Sequence, residues 1–168
     1  MISESIYKEC EHELAVCQHL FTKLDPNKAD WRPHENMRST LELLQYLAYI
    51  GGAMTRHFTD PLEDRDAARE RYRASARESK SLTFEQFPET IEREKKALYE
   101  IFCRIKDSDL TRISYHPFAG EDITLFEGLM IVVRYLCAYR HQLFLYAKMC
   151  GAEINTRNNW YGMDATAR

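Results

Sequence analysis

The sequence has few of the residues that make tight turns. It contains 6 Gly and 5 Pro among 168 residues, about half the usual share. Sandwiches and barrels of short strands need many such turns, so the shortage argues against them and favours long helices. The length fits one domain, residues 1–168, and the apolar fraction of 45% is enough for a sizeable core.

An excess of charge of one sign is also lacking. The chain carries 23 Lys and Arg against 26 Asp and Glu, a net charge of −3. No long-range field would therefore attract nucleic acid or an anionic membrane, and we expect neither as a partner.

No apolar run is long enough to suggest a membrane span. The most apolar stretch, residues 125–150, is interrupted by four charged residues, and its longest uncharged run has seven residues. The N-terminus MISESIYKEC lacks the apolar segment of a signal peptide. The five cysteines form no Cys-x-x-Cys pair and are odd in number, so we expect free thiols and a cytoplasmic protein.

Four segments show the apolar spacing and start signals of helices. They are residues 5–24, 39–58, 83–105 and 124–151. Three starts carry capping pairs, which are Ser39 with Glu42, Thr83 with Gln86, and Thr124 with Glu127. The Gly51-Gly52 pair within the second segment indicates either a kink or a close contact with another helix. The sequence thus predicts an all-α four-helix bundle.

Residues 60–80 join the second and third predicted helices and contain six acidic and six basic residues. Arginines recur every four positions there, at Arg65, Arg69, Arg73 and Arg77. The spacing fits either a phosphate-binding stripe or a solvated crossover helix whose acids offset the arginines. The segment is neutral overall, which favours the solvated crossover.

The usual catalytic and metal-binding motifs are missing. The sequence has no Gly-x-Ser-x-Gly, no glycine-rich phosphate loop and no His-Glu-x-x-His, and its six histidines form no metal-ligand pattern. Cys137 lies one helical turn before His141, so a thiol–imidazole contact is sterically allowed. A small apolar role for the cysteine and a core or boundary role for the histidine are the favoured interpretations.

Three tyrosines share positions from which their rings could meet. Tyr135 and Tyr139 are four residues apart and lie on one face of the fourth predicted helix, and Tyr46 lies in the middle of the second. Their phenols could converge in an interior pocket. Spacing alone favours the simpler interpretation, that they are core aromatics.

Two stretches resemble the DinB/YfiT-like superfamily of bacterial four-helix bundles, many of which are described as metalloenzymes. The first is WRPHENMRSTLELLQYLAYI, residues 31–50, and the second is HPFAGEDITLFEGLMIVVRYLCAYRHQLFLYAKMCG, residues 116–151. In the second, the residues in register with the superfamily's closing pattern are Arg140, Gln142, Leu143 and Gly151. The resemblance covers most of the chain and implies the DinB-like bundle.

The resemblance also implies an altered site. Members of the superfamily bind a divalent metal with three histidines, and the matching positions here are Tyr46, Tyr135 and Tyr139. Neutral imidazole suits zinc or nickel, whereas a phenol must first lose a proton of pKa about 10. We therefore favour a filled, metal-free site and no cofactor; a tyrosinate iron site is the alternative. We name three further residues as neighbours of the tyrosines: Arg134, Cys137 and His141.

Two functions remain open on this basis. The favoured one is a metal-free DinB-like module that binds a small molecule or a partner, with a homodimer implied by the resemblance alone. The alternative is a metal- or thiol-dependent transferase or hydrolase that uses an altered site around Tyr46, Tyr135 and Tyr139. DNA binding is disfavoured by the balanced charge.

Overall fold

The computed structural model of the protein describes residues 1–60, 65–117 and 119–164. Residues 61–64 of the predicted crossover, Phe118 and the last four residues lie outside this description, as does the side chain of Arg65. The helices are α1 (Ile2–Phe21), α2 (Thr40–Thr59), α3 (Arg65–Glu78), α4 (Phe87–Phe102), α5 (Leu125–Met149) and α6 (Thr156–Tyr161). Two short strands, β1 (Ile113–Tyr115) and β2 (Asp122–Thr124), precede α5.

Four long helices form the bundle that the sequence predicts. The α4 and α5 helices each pack against both α1 and α2, and their apolar faces enclose one core. The start of α2 is fixed by Ser39 and Glu42 and that of α5 by Thr124 and Glu127, and both pairs form complete capping boxes. Within the described residues, no helix is apolar over a length that could span a membrane.

The charged segment forms a crossover helix, as the solvated interpretation predicts. Most of α3 is exposed, and it rests on α2 through the buried Ala68 and the half-buried Tyr72. Arg69 pairs with Asp66, and Arg77 pairs with Glu70 at 2.6 Å. These arginines are neutralised by acids of their own helix, which argues against a phosphate-binding stripe.

Two helix starts differ from the sequence prediction because of particular hydrogen bonds. The α1 helix begins three residues early, since the Asp107 carboxylate accepts the backbone N–H groups of Ile2 at 2.9 Å and Ser3 at 3.1 Å. The third predicted helix begins at Phe87, not Thr83. The predicted capping bond from Thr83 N–H to Gln86 exists at 3.0 Å, but it closes a turn before the helix.

The strands were not predicted. They form a three-residue antiparallel hairpin in which Ser114 lies opposite Ile123. Strands this short leave no alternating pattern in a sequence. The hairpin packs on α5 and leaves the all-α class unchanged.

The Gly51-Gly52 pair lies inside an unbroken α2, so the close-contact interpretation is the correct one. A Cβ atom at residue 51 would touch Leu136 and Leu98, and one at residue 52 would clash with the Glu94 carboxyl group. The absence of side chains at these two positions allows α4 and α5 to pack closely against α2.

Gly128 on α5 allows an equally close approach of an aromatic ring. A Cβ atom there would lie 2.6 Å from Cγ of the buried Phe58. We expect Gly128→Ala to lower the free energy of unfolding by about 1–3 kcal/mol in a urea titration, because the core must move to admit the methyl group. The exposed Ala138→Ser on the same helix should change it by less than about 0.5 kcal/mol. Equal effects of the two substitutions would contradict this prediction.

Candidate functional site

The three tyrosines singled out in the sequence lie side by side where α2 meets α5. The ring centroids of Tyr46 and Tyr139 are 4.5 Å apart, and those of Tyr139 and Tyr135 are 6.5 Å apart. All three rings are half-buried against the core. The structure thus brings these residues together across the bundle.

Two further tyrosines extend the group into a row that reaches α3. Tyr49 lies 5.4 Å from Tyr46 between centroids, and Tyr72 lies 5.9 Å from Tyr49, with the two hydroxyl oxygens 3.5 Å apart. We call Tyr135, Tyr139, Tyr46, Tyr49 and Tyr72 the tyrosine row. Tyr49 could have been expected, since it lies three residues after Tyr46 on one helix face. Nothing in the sequence pointed to Tyr72.

Arg38 covers the row at the start of α2. Its guanidinium carbon lies 4.1 Å from the ring centroid of Tyr46 and 5.4 Å from that of Tyr139, which is cation–π geometry. The backbone beneath it is fixed from α5, since the Tyr146 hydroxyl donates to the Arg38 carbonyl at 2.9 Å and Gln142 donates to that hydroxyl at 3.0 Å. Sequence reasoning missed Arg38.

Three phenols of the row, those of Tyr46, Tyr49 and Tyr135, remain protonated at neutral pH. Burial, which disfavours a charged phenolate, is the main cause that raises the pKa values of Tyr46, Tyr49 and Tyr135. Neighbouring tyrosines raise the pKa of Tyr46 further. These side chains can therefore donate hydrogen bonds and stack with a ligand, but they are poor nucleophiles.

The superfamily's divalent metal does not fit these residues. A phenol has to lose its proton to act as a ligand, and burial opposes that loss at Tyr46 and Tyr135 by raising the pKa. The Tyr46 and Tyr139 rings are in contact, and a guanidinium lies over both. Elsewhere in the described residues, no three His, Cys, Asp or Glu side chains are grouped to hold a metal ion.

A cavity of about 400 Å³ opens beside the row. Tyr46 and Tyr49 form one wall, while Tyr135 and Tyr139 lie outside the lining. The basic residues that line it are Arg32, Arg38 and Lys80. Two acids, Glu35 and Glu42, also line the cavity, and Glu42 lies 3.4 Å from Arg32 as an ion pair.

The three residues named as neighbours of the tyrosines have other surroundings. Arg134 is exposed, and its charge slightly opposes the rise in the pKa of Tyr135. The Cys137 sulfur accepts a hydrogen bond from Arg140 at 3.5 Å. His141 stacks on Phe144 and contacts the Asn159 side chain, which matches a boundary role and provides no thiol–imidazole pair.

Arg140 is the centre of a second polar cluster, with partners that the sequence did not suggest. It is 1% exposed, and its Nε donates to Glu13 of α1 at 2.7 Å, while Nη1 donates to Asn159 of α6 at 2.6 Å. The cluster ties α1, α5 and α6 together. The C-terminal segment is therefore docked on the bundle, as far as residue 164 is described.

The arrangement of the helices can be compared with solved structures. The DinB-like protein YjoA from Bacillus subtilis aligns with 89% of this chain and 94% of its own, at 14% identity and a TM-score of 0.66. A protein assigned to the DinB family from Exiguobacterium sibiricum aligns over 93% and 96%, at 15% identity and a TM-score of 0.69. This chain has the DinB-like fold.

The resemblance seen in the sequence is thereby confirmed at the level of the fold. No protein-family model matches the sequence, and no curated protein matches it either. The comparisons therefore support the DinB-like architecture and say nothing about activity.

Proposed function

We propose that this DinB-like protein is a metal-free binding module that holds a small organic anion in the cavity beside the tyrosine row. The observation that carries the proposal is the Arg38 guanidinium over Tyr46. Among the described residues no carboxylate lies within ion-pair distance of it, although it lines the cavity. A guanidinium in this position can bind a carboxylate or phosphate through two parallel hydrogen bonds.

The rest of the lining suits an anion attached to an apolar or aromatic group. The Tyr46 and Tyr49 rings, whose planes meet at 76°, give the lining an aromatic surface, and Lys80 adds a second positive charge beside that of Arg38. Aromatic walls with a few placed polar groups are typical of small-molecule sites. Because burial keeps the Tyr46 and Tyr49 phenols protonated, ligand binding is better supported than covalent chemistry at the cavity wall.

The enzymatic alternative has less support. A thiol-dependent transferase needs a cation that stabilises a thiolate. Cys137 has such a neighbour in Arg140, but that guanidinium is already paired with Glu13.

The test of the anion site is a calorimetric titration with phenylacetate and with its neutral analogue 2-phenylethanol. We expect phenylacetate to bind and the alcohol to bind much more weakly. Arg38→Ala should weaken phenylacetate binding roughly 10- to 100-fold, since a hydrogen bond to a charged group contributes about 1.5–3 kcal/mol. Arg38→Lys, which keeps the charge but loses the planar fork, should give a smaller loss.

The matched control is Arg104→Ala, at an exposed arginine just beyond the end of α4. It should leave the affinity unchanged. If Arg38→Ala binds phenylacetate as tightly as the wild-type protein, or if the neutral alcohol binds equally well, the anion site is refuted.

The metal-free part of the proposal has its own test. Elemental analysis of protein purified without a His-tag should find well below one metal ion per chain. A stoichiometric metal, or a tyrosinate-to-iron absorption band that Tyr139→Phe abolishes, would overturn it. Self-association, implied by the resemblance, stays a prediction that a solution mass can decide.

A further inference from the structure

A second and larger cavity, of about 630 Å³, lies between α2, α3 and α4. Tyr49 and Ser79 line both cavities, so the two cavities are adjacent and share a wall formed by these residues. We call this second space the Glu94 cavity, after the most buried ionisable side chain in its lining. The anion site proposed above makes no use of it.

Glu94 presents an unsatisfied oxygen to this cavity. The residue is 9% exposed, and its Oε1 atom accepts a hydrogen bond from the backbone N–H of Gly52. Its Oε2 atom has no hydrogen-bond partner in the described residues. No fully buried side-chain oxygen of the described residues lacks a partner, so Oε2 is not fully buried, and Glu94 lines this cavity.

The position of this carboxyl group is built into the helix packing. Any Cβ atom at residue 52 would fall within 3 Å of the Glu94 carboxyl atoms, so the glycine is what allows α4 to bring the group against α2. The Gly52 N–H then fixes one oxygen and leaves the other facing outward. Burying a carboxyl group with one unpartnered oxygen costs folding free energy unless a hydrogen-bond donor or a cation binds that oxygen.

Apart from Glu94, the charged groups that line the cavity cancel one another. Arg56 faces it from α2, Glu78 from α3, and Glu89 and Arg93 from α4. All four are exposed, and none of them forms an ion pair with Glu94 in the described residues. The charge of Glu94 therefore determines whether the cavity favours a cationic or an anionic ligand. Three serines, a threonine and a glutamine complete the polar lining.

We propose that the Glu94 cavity binds a small primary amine, whose ammonium group donates a hydrogen bond to the free Glu94 oxygen. An ammonium carries three donors, so one can meet the carboxylate while the others meet the hydroxyl groups of the lining. A charge-assisted bond of this kind is about twice as strong as a neutral one. An anionic ligand would instead face the carboxylate and be repelled.

The ligand has to compete with a proton. Burial raises the pKa of Glu94 to about 7, against smaller lowering effects of the Gly52 N–H and of Arg56. An ammonium ligand requires the ionised carboxylate. The apparent affinity should therefore rise roughly tenfold between about pH 6 and about pH 8, as the ionised fraction grows.

The probe is n-butylammonium, compared with the neutral 1-butanol and the anionic butanoate in calorimetric titrations at the two pH values. We expect n-butylammonium alone to bind at millimolar concentration, with the stated rise in affinity. Glu94→Gln should weaken this binding at least tenfold and remove its pH dependence, since the amide cannot ionise. Glu100→Gln, at an exposed acid of the same helix outside the cavity, should bind as the wild-type protein does.

Three results would overturn the proposal: no binding of n-butylammonium, equal binding by Glu94→Gln, or preferential binding of butanoate. If Glu94→Gln fails to fold, the proposal can still be tested by a measurement on the wild-type protein. The pKa of Glu94, followed by the carbon chemical shift of its carboxyl group, should fall when n-butylammonium is added. A pKa unaffected by the amine would also refute the site.

Discussion

Replacing Arg140 with methionine is expected to lower the free energy of unfolding by about 3–5 kcal/mol, because it leaves a buried carboxylate without its partner. Arg140 and Glu13 are both buried and are joined at 2.7 Å between Nε and Oε2. Asn159 would also lose the donor that lies 2.6 Å from its amide oxygen. The effect should appear in urea unfolding and as a loss of order in α6, seen by amide hydrogen exchange.

Two matched variants separate the ion pair from the loss of a long side chain. Arg134→Met, at an exposed arginine of the same helix, should change stability by less than about 0.5 kcal/mol. The double variant Glu13→Leu with Arg140→Met should recover much of the loss, since replacing both partners of a buried pair with apolar groups is often close to neutral. If Arg140→Met costs no more than Arg134→Met, the cluster does not anchor the bundle.

The helix starts that the sequence predicted correctly depend on residues close together in the chain. Ser39 with Glu42 and Thr124 with Glu127 act over three residues, so their capping boxes can be recognised without a structure. The Arg140–Glu13 pair joins residues 127 positions apart, and no local pattern reports it. The early start of α1 has the same origin, because its cap is Asp107.

The site divides in the same way. The i and i+4 spacing placed Tyr135 and Tyr139 on one face, and the resemblance added Tyr46 from another helix. Tyr72 reaches the tyrosines because the crossover places α3 beside α2, and Arg38 reaches them because the loop before α2 places its guanidinium over two of their rings. Neither path can be read from local sequence. Glu94 lies on the buried face of an amphipathic helix, where a sequence pattern identifies an acid but neither its depth nor its cavity.

The pH dependence of stability should reveal Glu94 directly. Its pKa in the folded protein is raised from 4.5 to about 7, mainly by burial. The unfolded chain therefore releases this proton at lower pH than the folded protein does, and the folded state loses relative stability as pH rises from about 4.5 through about 7. By about pH 8 the buried carboxylate should cost about 2–4 kcal/mol relative to a neutral side chain.

Glu94→Gln is accordingly expected to stabilise the protein, and only at the higher pH. Near about pH 5 the wild-type side chain is a neutral acid of nearly the same shape as glutamine, so the two proteins should unfold at similar urea concentrations. Near about pH 8 the variant should be more stable by about 2–4 kcal/mol. For the control Glu100→Gln, the free energy of unfolding relative to the wild-type protein should not change with pH. If the free-energy difference between Glu94→Gln and the wild-type protein also stays constant with pH, the Glu94 carboxyl group is not desolvated. Adding n-butylammonium at the higher pH should narrow the gap, because the amine stabilises only the protein that keeps the carboxylate.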